Sequence, residues 1–173
     1  MEREKNLLIV GAGQYGYVAK ETADAIGDYN RISFIDNSSS LAIGKTDELE
    51  LFLGDYANAF VAIGNSSIRL KILDDLDELG YQLVTLIHPT AYVSPSAKIG
   101  GGCIVEPNAV VHSNVSIGSG CLISAGAVIN HNAIVEDGCH IDCNATVSAR
   151  SVVKADTKVE CGQVYSNENS ITV

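Results

Sequence analysis

The sequence predicts two folded units in series: an α/β Rossmann-like domain with a small parallel sheet over 1–84, and an all-β solenoid over 85–162. Three observations carry that prediction. From residue 87 to residue 159 every sixth residue is Ile or Val, at thirteen consecutive positions without a slip. Two places before each stands a second register of mostly small residues, among them Ala91, Cys103, Ala127 and Ala145. At the other end of the chain, the apolar run NLLIV leads straight into GAGQYG and then into a helix-spaced pattern.

The first unit reads in order as follows. Residues 6–10 form a short buried strand, and Val18, Ala19, Thr22, Ala23 and Ile26 fall on one face of a helix that Gly27 ends. Between them lies Gly11-Ala12-Gly13-Gln14-Tyr15-Gly16. Strand, GxGxxG and helix together form the setting in which that motif binds a phosphate, since glycines allow a tight turn and the helix N-terminus favours an anion. A glycine-rich turn that merely packs helix on strand is the other reading of the same residues. A second strand over 31–35 ends at Asp36, twenty residues beyond Gly16, where such folds set a carboxylate against a ribose hydroxyl. A polar loop at 37–40 and a short helix over 46–53 follow. The third strand, 60–63, ends in Gly64-Asn65-Ser66, with Ser66 as N-cap of a helix over 68–79 that Gly80 closes. A fourth strand over 82–86 leads directly into the hexads. Four strands and three helices are little more than half of a full dinucleotide fold, which favours a nucleotide carrying one base over NAD.

A period of six fits neither a helix at 3.6 nor a two-faced strand at 2. It fits a three-sided coil in which each hexad makes one side and three hexads one turn. The branched aliphatic points into the prism, and the small residue sits inward near a corner. One hexad cannot bury its own apolar face, so the core exists only where coils stack. At a strand spacing of about 4.8 Å, thirteen hexads give a prism roughly 20 Å long. Cys103, Cys121 and Cys139 are eighteen apart, one full turn, and stack in the small inward register as a ladder of small apolar groups. Beyond Val159 the register dissolves, and 163–173 reads as a polar tail.

Composition narrows the function. A net charge of −10 argues against nucleic acid as a partner. No basic leader or long apolar run marks a signal peptide or membrane insertion, so a cytoplasmic location is expected. With no CxxC pair, and no His-x4-His spacing to join His112, His131 and His140, no metal is expected. His131 lies two residues past an inward Ile and projects from a corner, and His140 precedes an inward Ile and faces out. An ordinary surface histidine is the other reading of each.

The segments IVGAGQYG, FVAIGNSSIR, LIHPTAYVSPSA and GAVINHNAIVEDGCHI, taken together, resemble the bacterial sugar acyltransferases. That family includes the PglD-like UDP-amino-sugar N-acetyltransferases of bacillosamine synthesis and the NeuD-like sialic-acid O-acetyltransferases. The resemblance implies a left-handed parallel β-helix of hexapeptide repeats, an exception to the usual crossover hand, assembled as a homotrimer with active sites in the grooves between prisms. It implies an acetyl-CoA-dependent acetyltransferase acting on an amino or hydroxyl group of a nucleotide-linked sugar. His131 matches the general base, and His140 a histidine near the thioester of coenzyme A. Gly11, Gly13, Gln14, Tyr15, Gly16, Asp36, Gly64, Asn65 and Arg69 would hold the nucleotide sugar, the last with a planar fork suited to diphosphate. Asn132 stands where the family has an acid, Ser124 where it often has Asn on the neighbouring wall, and Tyr15 where it usually has His. The hexads also end before the further coils and GxPAK-like tail of the family, which line part of the coenzyme A channel. A non-catalytic nucleotide-sugar-binding trimer that has lost that channel is therefore the alternative expectation.

Overall fold

The computed structural model describes residues 5–167. The chain divides between Leu86 and Ile87 into two compact units.

The first unit is a five-stranded parallel sheet in the order β3-β2-β1-β4-β5, formed by β1 (Asn6–Val10), β2 (Arg31–Ile35), β3 (Ala42–Gly44), β4 (Asn58–Val61) and β5 (Gln82–Leu83). β1 lies at the centre with Leu7, Leu8, Ile9 and Val10 fully buried, as a strand covered on both faces requires. Helix α1 (Gln14–Ile26) ends on Gly27 at φ 77°, and α2 (Ser66–Leu79) ends on Gly80 at φ 89°, both left-handed caps. A 3₁₀ helix, Thr46–Phe52, takes the place of the short helix expected over 46–53. Leu8, Val10, Ile35, Tyr56, Val61, Leu73 and Leu76 fill the core of this unit.

Four expectations are corrected by the fold of this unit. The third strand is Asn58–Val61, two residues earlier than its apolar run suggested, because Asn58 and Ala59 pair with Leu7 and Leu8. The edge strand Ala42–Gly44 has no apolar alternation, and it exists through pairing with β2. The fourth strand is only Gln82–Leu83; Leu86–Ile87 instead forms a solenoid strand beside Ile104–Val105, with the His88 N–H donating to Val105 O at 2.9 Å. Finally, Asn65 rather than Ser66 caps α2, its Oδ1 accepting from the Ile68 N–H at 3.0 Å.

The second unit is a three-sided prism, the left-handed parallel β-helix of hexapeptide repeats. One face stacks Leu86–Ile87, Ile104–Val105, Leu122–Ile123, His140–Ile141 and Lys158–Val159; a second stacks Tyr92–Val93, Val110–Val111, Val128–Ile129, Thr146–Val147 and Val164–Tyr165; a third stacks Lys98–Ile99, Ser116–Ile117, Ile134–Val135 and Val152–Val153. The aliphatic register from Val105 to Val159 is buried throughout, whereas Ile87, at the end of the prism, is 36% exposed. Corners turn on a third register not foreseen from the sequence. Every sixth residue from Gly102 to Gly162 has positive φ, and these are Gly, Asn, Arg150 and Asp156. Glycine and asparagine tolerate that conformation best, which explains their recurrence there.

The cysteine ladder is fully buried as expected, with an addition: each thiol also donates to a corner carbonyl. Cys103 Sγ meets Gly118 O at 3.0 Å, Cys121 Sγ meets Glu136 O at 3.2 Å and Cys139 Sγ meets Lys154 O at 3.0 Å. The register also runs one hexad further than expected. Tyr165 takes the inward position, packs on the prism core and donates its hydroxyl to Val152 O at 3.2 Å. An aromatic ring fits there because it closes an end rather than a middle layer. Of the expected tail, residues 168–173 lie outside the described residues.

Candidate active site

The order of the first sheet reverses at β1: β2 lies on one side and β4 on the other. In parallel sheets a crevice opens at such a switch point, beyond the carboxyl ends of the strands. Two loops meet there, Gly11–Gly16 after β1 and Ile63-Gly64-Asn65 after β4. Gly11 has φ 105°, and a Cβ on it would stand 2.7 Å from Ala62 O. A Cβ on Gly16 would overlap Gly11 O. These two glycines are therefore required by the close approach of helix, loop and neighbouring strand. Gly13, by contrast, is the N-cap of α1 with open space around it; no side chain caps it and no acid lies in the first turn. That leaves the positive end of a thirteen-residue helix to an anion. Gln14 is exposed beside it and Tyr15 half-buried.

Asp36 carries more structure than its spacing implied. Its Oδ2 accepts from the Ala12 N–H at 2.9 Å; its Oδ1 accepts from Ser38 N–H at 2.8 Å, Ser38 Oγ at 3.0 Å and Ser39 N–H at 3.0 Å. These donors, the Ala12 N–H foremost, hold its carboxyl down at about 2. The carboxylate thus ties the glycine loop to the end of β2, and it also lines a hollow of about 370 Å³ with Ser38, Ser39, Gly44, Lys45 and Glu48.

Arg69 requires a correction. It is fully buried, and its Nη1 donates to Ile63 O at 2.6 Å and Gly64 O at 3.0 Å. Its fork therefore holds the loop carrying Gly64 and Asn65 rather than standing open to a diphosphate. The sequence motif could not reveal that this guanidinium turns inward onto the loop's own carbonyls.

In the prism, His131 and Asn132 lie exposed at the corner between the second and third faces. Asn130 Oδ1 accepts the His131 backbone N–H at 2.8 Å, and the Asn132 side-chain amide stands 2.9 Å from His131 Nδ1. His140 lies on the first face, with Nε2 3.1 Å from Ser124 Oγ and 3.8 Å from Asp142 Oδ1. Asp142 Oδ2 pairs with Lys158 at 3.2 Å. Burial pushes the Asp142 carboxyl up, but the Cys143 N–H, the Lys158 ammonium and His140 outweigh it and leave the group below its ordinary value. The sequence offers Glu136, Asp137 and Asp142 alike as solvated turn carboxylates of which one could orient a histidine, and of these Asp142 lies beside His140; Lys158 escaped the sequence reading. Its signal was present, since Lys158 stacks on His140 eighteen residues on.

His140 and Ser124 come together in one chain; His131 and His140 do not. A triangle's corner lies opposite its remaining side, so the corner between faces two and three points away from face one. Among the described residues no group of three or more His, Cys, Asp or Glu could hold a metal ion, and no helix is long and apolar enough to cross a membrane.

Residues 6–76 match the PglD N-terminal domain family, and residues 96–131 match the bacterial transferase hexapeptide (six repeats) family. A UDP-N-acetylbacillosamine N-acetyltransferase of Bacillus subtilis (strain 168) is 32% identical over 58% of this chain; the match spans 51%, about half, of that relative's length. The acetyltransferase domain of PglB from Neisseria gonorrhoeae FA1090, solved in complex with acetyl coenzyme A, superposes with a TM-score of 0.90 at 32% identity. That match covers 93% of this chain and 82% of the other. A histidine-to-asparagine mutant of perosamine N-acetyltransferase from Caulobacter crescentus, solved with CoA and GDP-perosamine, has a TM-score of 0.77 at 25% identity, covering 92% and 88% of the two chains.

Proposed function

This chain belongs to the bacterial sugar acyltransferases that join a PglD-type amino-terminal domain to hexapeptide repeats, and from that membership we propose that it transfers an acetyl group from acetyl-CoA to an amino or hydroxyl group of a nucleotide-linked sugar. Its relatives are described as N-acetyltransferases or were solved with acetyl-CoA or CoA, which favours an amine as acceptor. The phosphates of the nucleotide sit at the uncapped N-terminus of α1, between Gly13 and the Gly64-Asn65 loop, with Asp36 keeping the glycine loop in place for them.

In the chemical step, the acceptor nitrogen or oxygen attacks the thioester carbonyl. His131 Nε2 takes the proton the nucleophile sheds, the new C–N or C–O bond forms, and the C–S bond breaks. The coenzyme A thiolate leaves and is reprotonated. A neutral imidazole suits this work because it gains and loses a proton near neutral pH. Ser124 and His140 supply donors for the acetyl oxygen, whose negative charge grows as the carbonyl becomes tetrahedral.

The observation that carries this reading is the placement of the two histidines on opposite sides of one prism. They serve a single reaction when the corner of one chain faces the first face of a neighbour, and a homotrimer closes three such grooves. We place the reaction in the cytoplasm, where both substrates are soluble. The test is incubation with acetyl-CoA and a panel of UDP-amino-sugars, followed by mass analysis. A mass gain of one acetyl group on one sugar is expected, lost in His131→Gln while calorimetry still shows sugar-nucleotide binding. No gain across the panel, with no heat from acetyl-CoA, would favour the non-catalytic binding protein; equal turnover by His131→Gln would remove that residue from the mechanism.

A further inference from the structure

Cys143 and Cys161 stand off the buried cysteine ladder and meet at the corner between the first and second faces. Ile141 pairs with Val159, so the residues two places on, Cys143 and Cys161, hold the same position in consecutive coils. The Gly162 N–H donates to Cys143 O at 2.9 Å and ties the two corners together. Both thiols are free, Cys161 exposed and Cys143 half-buried. Burial raises the Cys143 thiol above its ordinary value, and the negative charges of Glu106, Asp142 and the Cys161 thiolate add to the rise, as near neighbours do. The ladder cysteines share the same spacing but are sealed inside the prism with their thiols donating to carbonyls, so no reagent reaches them.

Consecutive coils lie about 4.8 Å apart, inside the roughly 4.4–6.8 Å between α-carbons that a disulfide spans. Its β-carbons stand about 3.5–4.5 Å apart, so closure draws the two corners slightly together. The corner at Cys161 has room for this: a Cβ on Gly162 would meet nothing within 4 Å. On the other side, the Cys143 N–H donates to Asp142 Oδ1 at 2.7 Å, and that same oxygen stands 3.8 Å from His140 Nε2. We propose that Cys143 and Cys161 form a reversible disulfide by exchange with a low-molecular-weight disulfide, and that closure pulls the Cys143 N–H off Asp142 and shifts the wall that holds His140. The bond stands on the fold alone; its effect on transfer rests on the reading of His140 as part of the acetyl site.

The exchange runs in two steps. The exposed Cys161 thiolate attacks one sulfur of the small disulfide, forms a mixed disulfide and releases one small thiolate. The Cys143 thiolate then attacks Cys161 Sγ, the intramolecular S–S bond forms and the second small thiolate leaves. Two electrons pass from the protein dithiol to the small disulfide, and the two cysteine protons end on the two released thiols. A bond closed against a separation slightly too long is strained and therefore easily reduced, which makes the step reversible.

The experiment incubates the full chain with glutathione disulfide, then unfolds it, alkylates it and maps it by mass. The five alkylatable cysteines of the reduced chain should fall to three, Cys103, Cys121 and Cys139, with the Cys143 and Cys161 peptides joined. Cys143→Ser should stop at a glutathione adduct on Cys161. In ¹H–¹³C spectra of the histidine rings, the His140 signal, assigned through His140→Gln, should move on oxidation and return with dithiothreitol, while that of His131, at the far corner, stays. Acetyl transfer should fall about tenfold on oxidation and recover on reduction, whereas Cys161→Ser keeps its reduced rate throughout. A lasting glutathione adduct with Cys143 still free, or a bond between chains, would overturn the disulfide. An unmoved His140 signal, or unchanged transfer, in a chain that carries the bond would overturn the switch. The mass and the spectra need no turnover, so absence of transfer from every acceptor by the reduced chain counts against the acetyltransferase reading alone.

Discussion

Replacing Asp36 with asparagine tests whether this carboxylate works chiefly as the tie between β2 and the glycine loop. Its ordinary pKa of 3.8 is drawn down to about 2, first by the Ala12 N–H and then by Ser38 and Ser39. That gap of about 1.8 pH units corresponds to roughly 2.4 kcal/mol of preference for the charged, folded form. Because the group is partly open to water, about 1–2 kcal/mol is the expected loss in Asp36→Asn at pH 7. The sign follows from the direction: a carboxyl lowered on folding stabilises above its unfolded pKa and loses that contribution as pH falls toward 2. By pH 3 the difference between wild type and variant should shrink by roughly half. Urea unfolding followed by circular dichroism at 222 nm reports on this unit, since α1 and α2 both lie in it. A stability gap of the same size at pH 3 and pH 7 would refute the electrostatic account and leave a shape change as the cause.

Gly16→Ala should loosen the glycine loop, because its Cβ meets Gly11 O, and calorimetry should show affinity for the nucleotide sugar falling at least about tenfold. Within the prism, Ile141→Ala opens a cavity in a fully buried layer and should cost about 2–4 kcal/mol in thermal unfolding, whereas Ile134→Ala, on a side chain 44% exposed, should cost less than about 1 kcal/mol. Thiol titration with a disulfide reagent at pH 8 should modify exposed Cys161 first. Cys121, whose thiol its ladder neighbour Cys103 pushes up to about 12, should stay silent, with its partners Cys103 and Cys139, until the chain is unfolded.

The prism was legible because its pattern is local and repeated. Each hexad states its own inward residue, and thirteen statements agree. The corner register was equally present in Gly102, Asn108, Asn114 and Gly120, but its meaning depends on φ, which hydropathy does not carry. The glycine loop was legible because its spacing encodes a contact within one strand–helix unit. Arg69 was misread for the opposite reason: a guanidinium beside a glycine loop is consistent with a bound phosphate or with two backbone carbonyls, and packing chose the carbonyls. Asn65 took the cap from Ser66 because the helix began one residue earlier, and both side chains are competent caps. The strand Ala42–Gly44 had no signal of its own, since an edge strand of three residues is made by the strand beside it.

Sequence by itself determined the three-sided coil, the cysteine ladder and the tight glycine turn after β1, because in each the interacting residues recur at fixed short spacings. Tertiary structure alone decided that Asp36 clamps a loop, that Arg69 faces inward, and that His131 and His140 stand on opposite sides of the prism. Those outcomes depend on which elements become neighbours in space, and no local period records that.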